Sequence, residues 1–135
     1  MRAVLDPNVL IASLISAAGA PAQIISGWLA GDFELVVSEA LLAELDRALA
    51  SPKLRRRVRP AEAAEFVALL RHGAVVAPDE PAGRHRSADP GDDYLLALAE
   101  SERAVLVTGD HHLLALAGTL PIFSARGFLD DLKDA

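Results

Sequence analysis

Five short apolar runs, separated by helical stretches, constrain the fold of this chain more than any other feature. The runs occupy residues 3–5, 35–37, 74–76, 104–107 and 121–123. They are apolar throughout and do not alternate with polar residues, which is typical of strands that are covered on both faces. Strands separated by helices form parallel βαβ units with right-handed crossovers. The pattern therefore predicts an α/β fold with a parallel-stranded central sheet sandwiched between helices.

Capping residues and helical spacing predict five helices between these strands. They extend over Pro21 to Leu29, Ser38 as N-cap to Leu49, Pro60 to Arg71, Asp92 to Glu100, and Leu113 to Ala117. The stretch from Pro78 to Gly91 contains three prolines and two glycines. It is therefore predicted to be a loop, and it is the best candidate for a mobile segment.

Length and composition indicate the broad class of protein. The chain has 135 residues, and 13 Lys and Arg against 19 Asp and Glu give a net charge of −6. This length predicts a single domain over residues 1–135. No apolar run reaches the roughly 20 residues of a membrane span, and the N-terminus has a strand-like pattern and not that of a signal peptide. We therefore expect a cytoplasmic protein that has no membrane partner.

The absence of cysteine limits the kinds of catalytic and metal-binding site that the chain can form. A sequence with no cysteine excludes disulfides, thiolate catalysis and metal sites built on thiolates. The acidic balance, with a pI of about 5.1, argues against a protein that coats nucleic acid through bulk charge. A local basic patch is still compatible with nucleic-acid binding. The remaining possibilities are hard-metal chemistry and proton transfer.

Acidic side chains lie where the predicted sheet should bind a ligand. In open α/β sheets, ligands bind beyond the carboxyl ends of the strands. Four separate segments deliver carboxylates to this edge, and they contribute Asp6, Glu44, the pair Asp92 and Asp93, and Asp110. Two polar residues accompany them, Asn8 two positions after Asp6 and Thr108 at the end of the fourth strand.

Closely spaced carboxylates favour the binding of a cation. Each additional carboxylate raises the cost of ionising the others unless a positive charge is present. Sites made of carboxylate and water oxygens suit hard ions, so Mg²⁺ or Mn²⁺ is the expected cofactor. One or two such ions can activate a water molecule and hold a phosphodiester for in-line attack, which is the chemistry of a nuclease.

At these residues the sequence resembles the PIN-domain family, in particular the VapC-like toxin ribonucleases of bacterial toxin–antitoxin systems. The resemblance covers essentially the whole chain. Four segments match in order and spacing, and they read V-L-D-P-N-V-L-I at 4–11, S-E-A-L-L-A-E-L at 38–45, D-P-G-D-D-Y-L-L-A-L-A at 89–99 and V-L-V-T-G-D at 105–110. The resemblance implies a PIN-like three-layer α/β/α fold. It also implies an Mg²⁺- or Mn²⁺-dependent endoribonuclease that is the toxin of a type II toxin–antitoxin system.

The resemblance further implies which residues form the site. It assigns the catalytic and metal-binding positions to Asp6, Glu44, Asp92 and Asp110, with Asn8 and Thr108 as polar neighbours that orient them. Sixteen residues separate Asp92 from Thr108, and this spacing matches the helix and strand unit of the family. Asp93 is the lesser candidate, because its side chain points about 100° further round the helix.

The family pattern also implies partners. These are an RNA substrate, a cognate antitoxin that covers the site, and a second copy of the chain in a homodimer.

The sequence departs from the family pattern at two places. Pro7 stands where the family usually has Thr, which removes a hydroxyl and a backbone donor beside Asp6. His111 and His112 stand where a basic residue and an Asp are common. Adjacent histidines cannot share one helix face, so we expect them to be surface helix residues.

A basic run and two aromatic residues have competing interpretations. Five of the 13 basic residues fall within seven positions, namely Lys53, Arg55, Arg56, Arg57 and Arg59. They are either a solvated helix end or patch for an acidic partner, or an edge that guides RNA to the acids with the help of Arg84 and Arg86. Trp28 and Tyr94 are interpreted as packing residues, with stacking on a base as the alternative.

Two other functions compete with a nuclease. The first is a catalytically weak or inactive PIN-like module that binds RNA or protein, which the substitution at Pro7 makes conceivable. The second is a haloacid-dehalogenase-type phosphatase, which needs an Asp two residues after its nucleophile, whereas this chain has Asn8 there. A phosphate-binding P-loop is excluded because its glycine-rich motif does not occur.

Overall fold

A five-stranded parallel sheet forms the centre of the computed structural model, which describes residues 1–80 and 90–134. The strands are β1 (Arg2–Leu5), β2 (Glu34–Val37), β3 (Val75–Val76), β4 (Val105–Val107) and β5 (Ile122–Phe123). All five apolar runs are therefore confirmed as strands, with bounds that differ by one residue at most. The three residues Ala3, Val4 and Leu5 of β1 are fully buried, as expected for a strand that is covered on both faces.

The order of the strands reverses beside β1. The order in the sheet is β3-β2-β1-β4-β5, and all neighbouring strands are parallel. The chain moves outward from β1 to β3 and then returns to the other side of β1 for β4 and β5. The register pairs Leu5 at the end of β1 with Val107 at the end of β4. Ligands of open α/β sheets bind at such a reversal of strand order, beyond the carboxyl ends of the strands.

Helices cover both faces of the sheet in the described part of the chain. They are α1 (Pro7–Ile15), α2 (Ala20–Leu29), α3 (Glu39–Leu49), α4 (Pro52–Arg55), α5 (Pro60–Gly73), α6 (Asp93–Ser101), α7 (His111–Leu114) and α8 (Ala125–Lys133), with a 3-10 turn at Pro90–Asp92. Right-handed crossovers place the helices that precede β2 and β3 on one face and α6 on the other. Helix α6 packs against β1 and β4, and α8 packs against α2 and β5. The predicted three-layer α/β/α arrangement is confirmed.

Four of the five predicted helices are confirmed as α2, α3, α5 and α6, with bounds that shift by two residues or fewer. The prediction of a helix from Leu113 to Ala117 was wrong in position. Helix α7 begins at His111, because the side chain of Asp110 caps it. Helices α1, α4 and α8 were not predicted. Residues 81–89 of the predicted loop, and its proposed mobility, lie outside the described residues.

Large apolar side chains join the sheet to its helices in one core. Phe128 of α8 is fully buried and meets Phe33 edge-on, with ring centroids 5.2 Å apart. Trp28 is buried, as its interpretation as a packing residue requires. Gly73 closes α5 directly against it, since a Cβ atom at Gly73 would lie 3.1 Å from Cζ2 of Trp28.

No single helix within the described ranges is long and apolar enough to cross a membrane. Helices α1 and α2 meet the length and hydropathy requirements only as a pair, and the chain bends by 98° between them.

Candidate active site

Asp6 lies at the centre of the candidate site, where the strand order reverses. It follows β1 directly, and its backbone N–H donates to the carbonyl oxygen of Val107 on β4 at 2.9 Å. Its Oδ1 accepts the backbone N–H of Asn8 at 2.9 Å, and its Oδ2 accepts the hydroxyl of Thr108 at 2.8 Å. The side chain is only 5% exposed. Both carboxylate oxygens are therefore fixed in a largely dry position.

Burial makes the negative charge of Asp6 costly. It raises the pKa of the carboxyl above its ordinary value of 3.8, and the hydrogen bonds from Asn8 and Thr108 oppose this shift. The carboxylates of Glu44 and Asp110 raise the pKa of Asp6 further, so both lie close enough to repel it. Asp6, Glu44 and Asp110 are therefore close enough for their charges to interact.

Pro7 does not weaken the position of Asp6. It occupies the first position of α1, where a backbone N–H has no partner within the helix, so its missing donor costs nothing. The donor to Asp6 is the backbone N–H of Asn8. The Asn8 residue itself is exposed, so its support of Asp6 comes from the backbone and not from its amide group.

Helix α3 carries Glu44 to the same place. The hydroxyl of Ser38 accepts the backbone N–H of Leu41 and so caps the start of this helix. Leu41, Leu42 and Leu45 are fully buried, and the packing of this apolar face fixes the rotation of the helix. Glu44 is half-buried at the edge of that face.

Tyr94 links Glu44 to the helix on the opposite face of the sheet. Its hydroxyl donates a hydrogen bond to Oε2 of Glu44, which ties α6 to α3. Burial raises the pKa of Tyr94 strongly, and the bond to Glu44 and the carboxylates of Asp6 and Asp92 raise it further. Tyr94 therefore remains a protonated donor. Its interpretation as a packing residue missed this contact, and no local sequence pattern indicates a bond between residues so far apart in the chain.

Asp92 and Asp93 occupy different positions around the start of α6. Asp92 ends the 3-10 turn and is half-buried. Its carboxylate acts on the pKa of Tyr94 and hydrogen-bonds with Asp110. Asp93 is the first residue of α6 and is 7% exposed. Asp92 thus lies with the other acids, whereas Asp93 is buried at the start of α6.

Asp110 completes the acidic cluster of Asp6, Glu44, Asp92 and Asp110. It follows β4 and caps α7, since its Oδ1 accepts the backbone N–H of His112 at 2.7 Å. This bond, with the hydrogen bond to Asp92, lowers the pKa of Asp110. Thr108 is fully buried between Asp6 and Asp110, and its hydroxyl accepts the backbone N–H of Asp110 at 3.0 Å. Thr108 therefore positions two acids at once.

Two surface hollows border the acidic cluster. One has a volume of about 750 Å³ and is lined by Glu44 and Tyr94 together with Arg47, Ala43 and Gly91. The other, of about 430 Å³, is lined by Asn8 and Ile11 on α1 and by Lys53 and Arg57 on and after α4. Basic side chains therefore line both hollows, Arg47 in the first and Lys53 and Arg57 in the second.

The predicted basic run is exposed to solvent. Lys53, Arg55, Arg56, Arg57 and Arg59 are all exposed, and Arg59 is paired with Glu62 at 2.8 Å. Arg84 and Arg86, the other two predicted RNA contacts, lie outside the described residues. His111 and His112 are exposed on α7, as predicted for surface helix residues. The expectation that adjacent histidines cannot share one face was wrong here, because their ring centroids lie 4.2 Å apart.

Comparison with known protein families gives a match. The sequence pattern of the PIN domain family matches residues 2–112, a range that contains all four predicted acids. No curated protein matches the chain.

Solved structures share the fold. PAE2754 from Pyrobaculum aerophilum is 22% identical, with a TM-score of 0.69 over 100% of this chain and 91% of that chain. VapBC2 from Rickettsia felis, solved bound to a DNA fragment from its promoter, is 15% identical, with a TM-score of 0.63 over 90% of this chain and 97% of that chain.

Proposed function

The chain belongs to the PIN domain family, and from this premise we propose that it is an Mg²⁺- or Mn²⁺-dependent endoribonuclease, the toxin of a type II toxin–antitoxin system. One observation carries the proposal. Four segments that are distant in sequence bring Asp6, Glu44, Asp92 and Asp110 together beyond the carboxyl ends of β1 and β4. We take residues 1–135 as one catalytic domain.

The donor set fits a hard divalent cation. All four side chains are carboxylates, and oxygen ligands are those that Mg²⁺ and Mn²⁺ prefer. The raised pKa of Asp6 marks a charge that a nearby cation would stabilise. Asp6, Glu44, Asp92 and Asp110 are the residues that would hold the ion. When bound, it would polarise the phosphodiester and favour deprotonation of an attacking water molecule.

The surrounding residues hold the acids in place before any ligand arrives. Thr108 and the backbone of Asn8 fix the two oxygens of Asp6, and Tyr94 holds one oxygen of Glu44. Groups that orient ligands in this way typically contribute about 10- to 100-fold to metal affinity or activity. Asp93 is a lesser candidate for a direct ligand.

Basic residues around the acids suit a polyanionic substrate. Lys53 and Arg57 line the hollow that begins at Asn8, and Arg47 lines the hollow that contains Glu44. Positive side chains position a nucleic-acid backbone through its phosphates. We therefore assign Lys53, Arg55, Arg56, Arg57 and Arg59, with Arg84 and Arg86, to an RNA-guiding edge.

Further partners belong to the same proposal. The likeness of fold to VapBC2 and the resemblance to VapC-like toxins support a cognate antitoxin that covers the acidic cluster. The family likeness also supports a homodimer. Because the RNA substrate is found in the cytoplasm, we place the protein there.

A nuclease assay with purified protein tests the proposal. Structured RNA is incubated with Mg²⁺ or Mn²⁺, with EDTA, and with the variant Asp6→Asn. We expect cleavage by the wild type in either metal and none in EDTA or with the variant. The matched control Asp131→Asn, which changes an exposed acid on α8, should retain full activity.

The same assay separates the alternative of a non-catalytic binding module. A module of this kind would bind RNA without metal-dependent cleavage, and it would bind equally well with Asp6→Asn. That pair of results would contradict the nuclease. Hydrogen bonds hold both carboxylate oxygens of Asp6, and its burial raises the pKa of the carboxyl group. These features favour the nuclease, since a surface that only binds RNA gains nothing from a buried carboxylate.

A further inference from the structure

The start of α7 brings three metal-ligating side chains together beside the acidic cluster. The ligand atoms of Asp110, His111 and His112 all lie within 4.8 Å of one another. The two imidazole rings have their centroids 4.2 Å apart and are tilted by 39°. Both histidines are exposed and Asp110 is half-buried, so an ion in solution can reach the group. We call these three residues the rim triad.

Asp110 is held in a defined position within the rim triad. Its backbone N–H donates to the hydroxyl of Thr108 at 3.0 Å, and its carbonyl oxygen accepts the backbone N–H of Leu114 at 2.9 Å. Its side-chain Oδ1 accepts the backbone N–H of His112 at 2.7 Å. The backbone that carries both imidazoles is thereby anchored to the buried Thr108. The backbone at the start of α7 is therefore ordered before an ion binds, which lowers the entropic cost of binding.

The donor chemistry of the rim triad differs from that of the acidic cluster. Two imidazole nitrogens and one carboxylate oxygen form a set that suits Zn²⁺ and related transition metals. Mg²⁺ prefers oxygen ligands and retains most of its water. The neighbouring carboxylates of Asp92 and Asp6 add a negative potential that attracts any divalent cation.

We propose that Asp110, His111 and His112 form a second metal site, selective for Zn²⁺-class transition metals, at the rim of the acidic cluster. The two sites share Asp110, so an ion at the rim triad withdraws one carboxylate from the acidic cluster. If the proposed nuclease function holds, Zn²⁺ therefore inhibits the Mg²⁺-dependent reaction through this shared residue. Binding of Zn²⁺ itself does not depend on that function.

Calorimetric titration of the full chain without an affinity tag tests the second site. Zn²⁺ is titrated into the wild type, His111→Ala, His112→Ala and the matched control His72→Ala, which changes an exposed histidine on α5. We expect the dissociation constant for Zn²⁺ to rise at least tenfold in the first two variants and to stay unchanged in the control. Because all three histidines are exposed, circular dichroism should show the same fold in each variant.

A fourth variant distinguishes the two sites. Asp6→Asn removes a ligand of the acidic cluster and leaves the rim triad intact, so it should lower Mg²⁺ affinity and retain Zn²⁺ binding. In NMR spectra, Zn²⁺ should shift the ring signals of His111 and His112 much more than Mg²⁺ does, because only Zn²⁺ binds the ring nitrogens directly. The second site is overturned if the wild type does not bind Zn²⁺. It is also overturned if Zn²⁺ affinity falls with Asp6→Asn but not with the two histidine variants.

Discussion

At the scale of single residues, Asp6 shows a conflict between folding and function. A carboxylate that is 5% exposed and repelled by Glu44 and Asp110 destabilises the folded chain when it is charged. Evolution of a stable core would favour a neutral side chain at this position. The hydrogen bonds from Asn8 and Thr108 offset part of the cost and preserve the charge that a cation site requires.

The raised pKa of Asp6 predicts a specific dependence of stability on pH in metal-free buffer. The unfolded chain loses the Asp6 proton near pH 3.8, whereas the folded chain retains it to higher pH. The free energy of unfolding contributed by this group therefore falls as pH rises from 3.8 through the raised pKa. The side chain of the variant Asp6→Asn does not ionise, so its free energy of unfolding does not fall with pH in this way. The variant keeps the N-cap of α1, since Asn is as good an N-cap as Asp.

Urea denaturation in EDTA across pH 3 to 8 measures this effect. We expect the two proteins to have similar stability at the acidic end, and the variant to become the more stable one as pH rises. Adding Mg²⁺ at about 100 times its dissociation constant should then stabilise the wild type by about 2.7 kcal/mol and leave the variant unchanged. A stability difference that is independent of pH would contradict the buried charge.

Tyr94→Phe tests the bond that holds Glu44. The substitution keeps the ring and removes only the hydroxyl that donates to Oε2 of Glu44. We expect about a tenfold loss of Mn²⁺ affinity in calorimetry, because a freed Glu44 must be reordered when the ion binds. Urea denaturation supplies the control for folding. Unchanged Mn²⁺ affinity would mean that the bond serves only to join α3 and α6.

Sequence reasoning named the four acids and their neighbours Asn8 and Thr108, but it did not predict every contact that holds the acids in place. Asp6, Glu44, Asp92 and Asp110 are recognisable because the ends of parallel strands converge on one edge of a sheet. The bond from Tyr94 to Glu44 is different, since it joins two helices on opposite faces and leaves no local pattern. The support of Asp6 by the backbone of Asn8 is equally invisible, because a backbone donor does not depend on residue type.

At the scale of elements, strands were easier to predict than helices. The runs of β1, β2 and β4 are short, apolar and bounded by polar residues on both sides, so their limits are clear from the sequence. Helix α1 was missed because it begins at Pro7, directly after β1, and only the capping bond of Asp6 separates the two elements. Helix α7 was misplaced because its single turn depends on the cap of Asp110 and not on apolar spacing.

Helix α8 was not predicted, and its contribution to the core can be measured. Phe128 on this helix is fully buried against Phe33 and Phe123. We expect Phe128→Ala to lower the free energy of unfolding by about 3 to 5 kcal/mol, because it leaves a cavity in a packed core. Leu29→Ala on α2 is the control, since its side chain is 60% exposed and should cost far less. A small loss for Phe128→Ala in urea denaturation would mean that α8 is loosely attached.

At the scale of the whole molecule, negative and positive side chains are concentrated in different places, four acids in the acidic cluster and five bases in the run from Lys53 to Arg59. The chain has a net charge of −6, yet the exposed basic run from Lys53 to Arg59 contributes Lys53 and Arg57 to the hollow that contains Asn8. An acidic protein that binds RNA needs such a local reversal of sign, because the net field repels phosphates.

Reversing the charge of Arg55, Arg56 and Arg57 to Glu tests the RNA-guiding edge. Loss of three phosphate contacts should weaken binding to single-stranded RNA and reduce the slope of log affinity against log salt by about 2. Reversing Arg103, Arg126 and Lys133 changes the net charge equally on other exposed surfaces and should have a much smaller effect. Equal effects of the two variants in fluorescence anisotropy would exclude a specific edge.

The fold class followed from the sequence, whereas the strand order did not. Alternating apolar runs and helices require parallel βαβ units. Buried strands such as β1, β2 and β4 are all short and rich in Val and Leu, so their composition does not specify which pairs with which. The order is set by how α3, α5 and α6 pack across the faces, which are contacts between distant segments.

The reversal of strand order beside β1 has a consequence for biosynthesis. Asp6 is translated before Asp110, which is added more than a hundred residues later. Asp6 also donates its backbone N–H to Val107, a strand residue that is translated just before Asp110. A nascent chain therefore carries an incomplete set of acids until the segment with Asp110 has been added. The proposed nuclease would lack one of its four carboxylates while that part of the chain is still being translated.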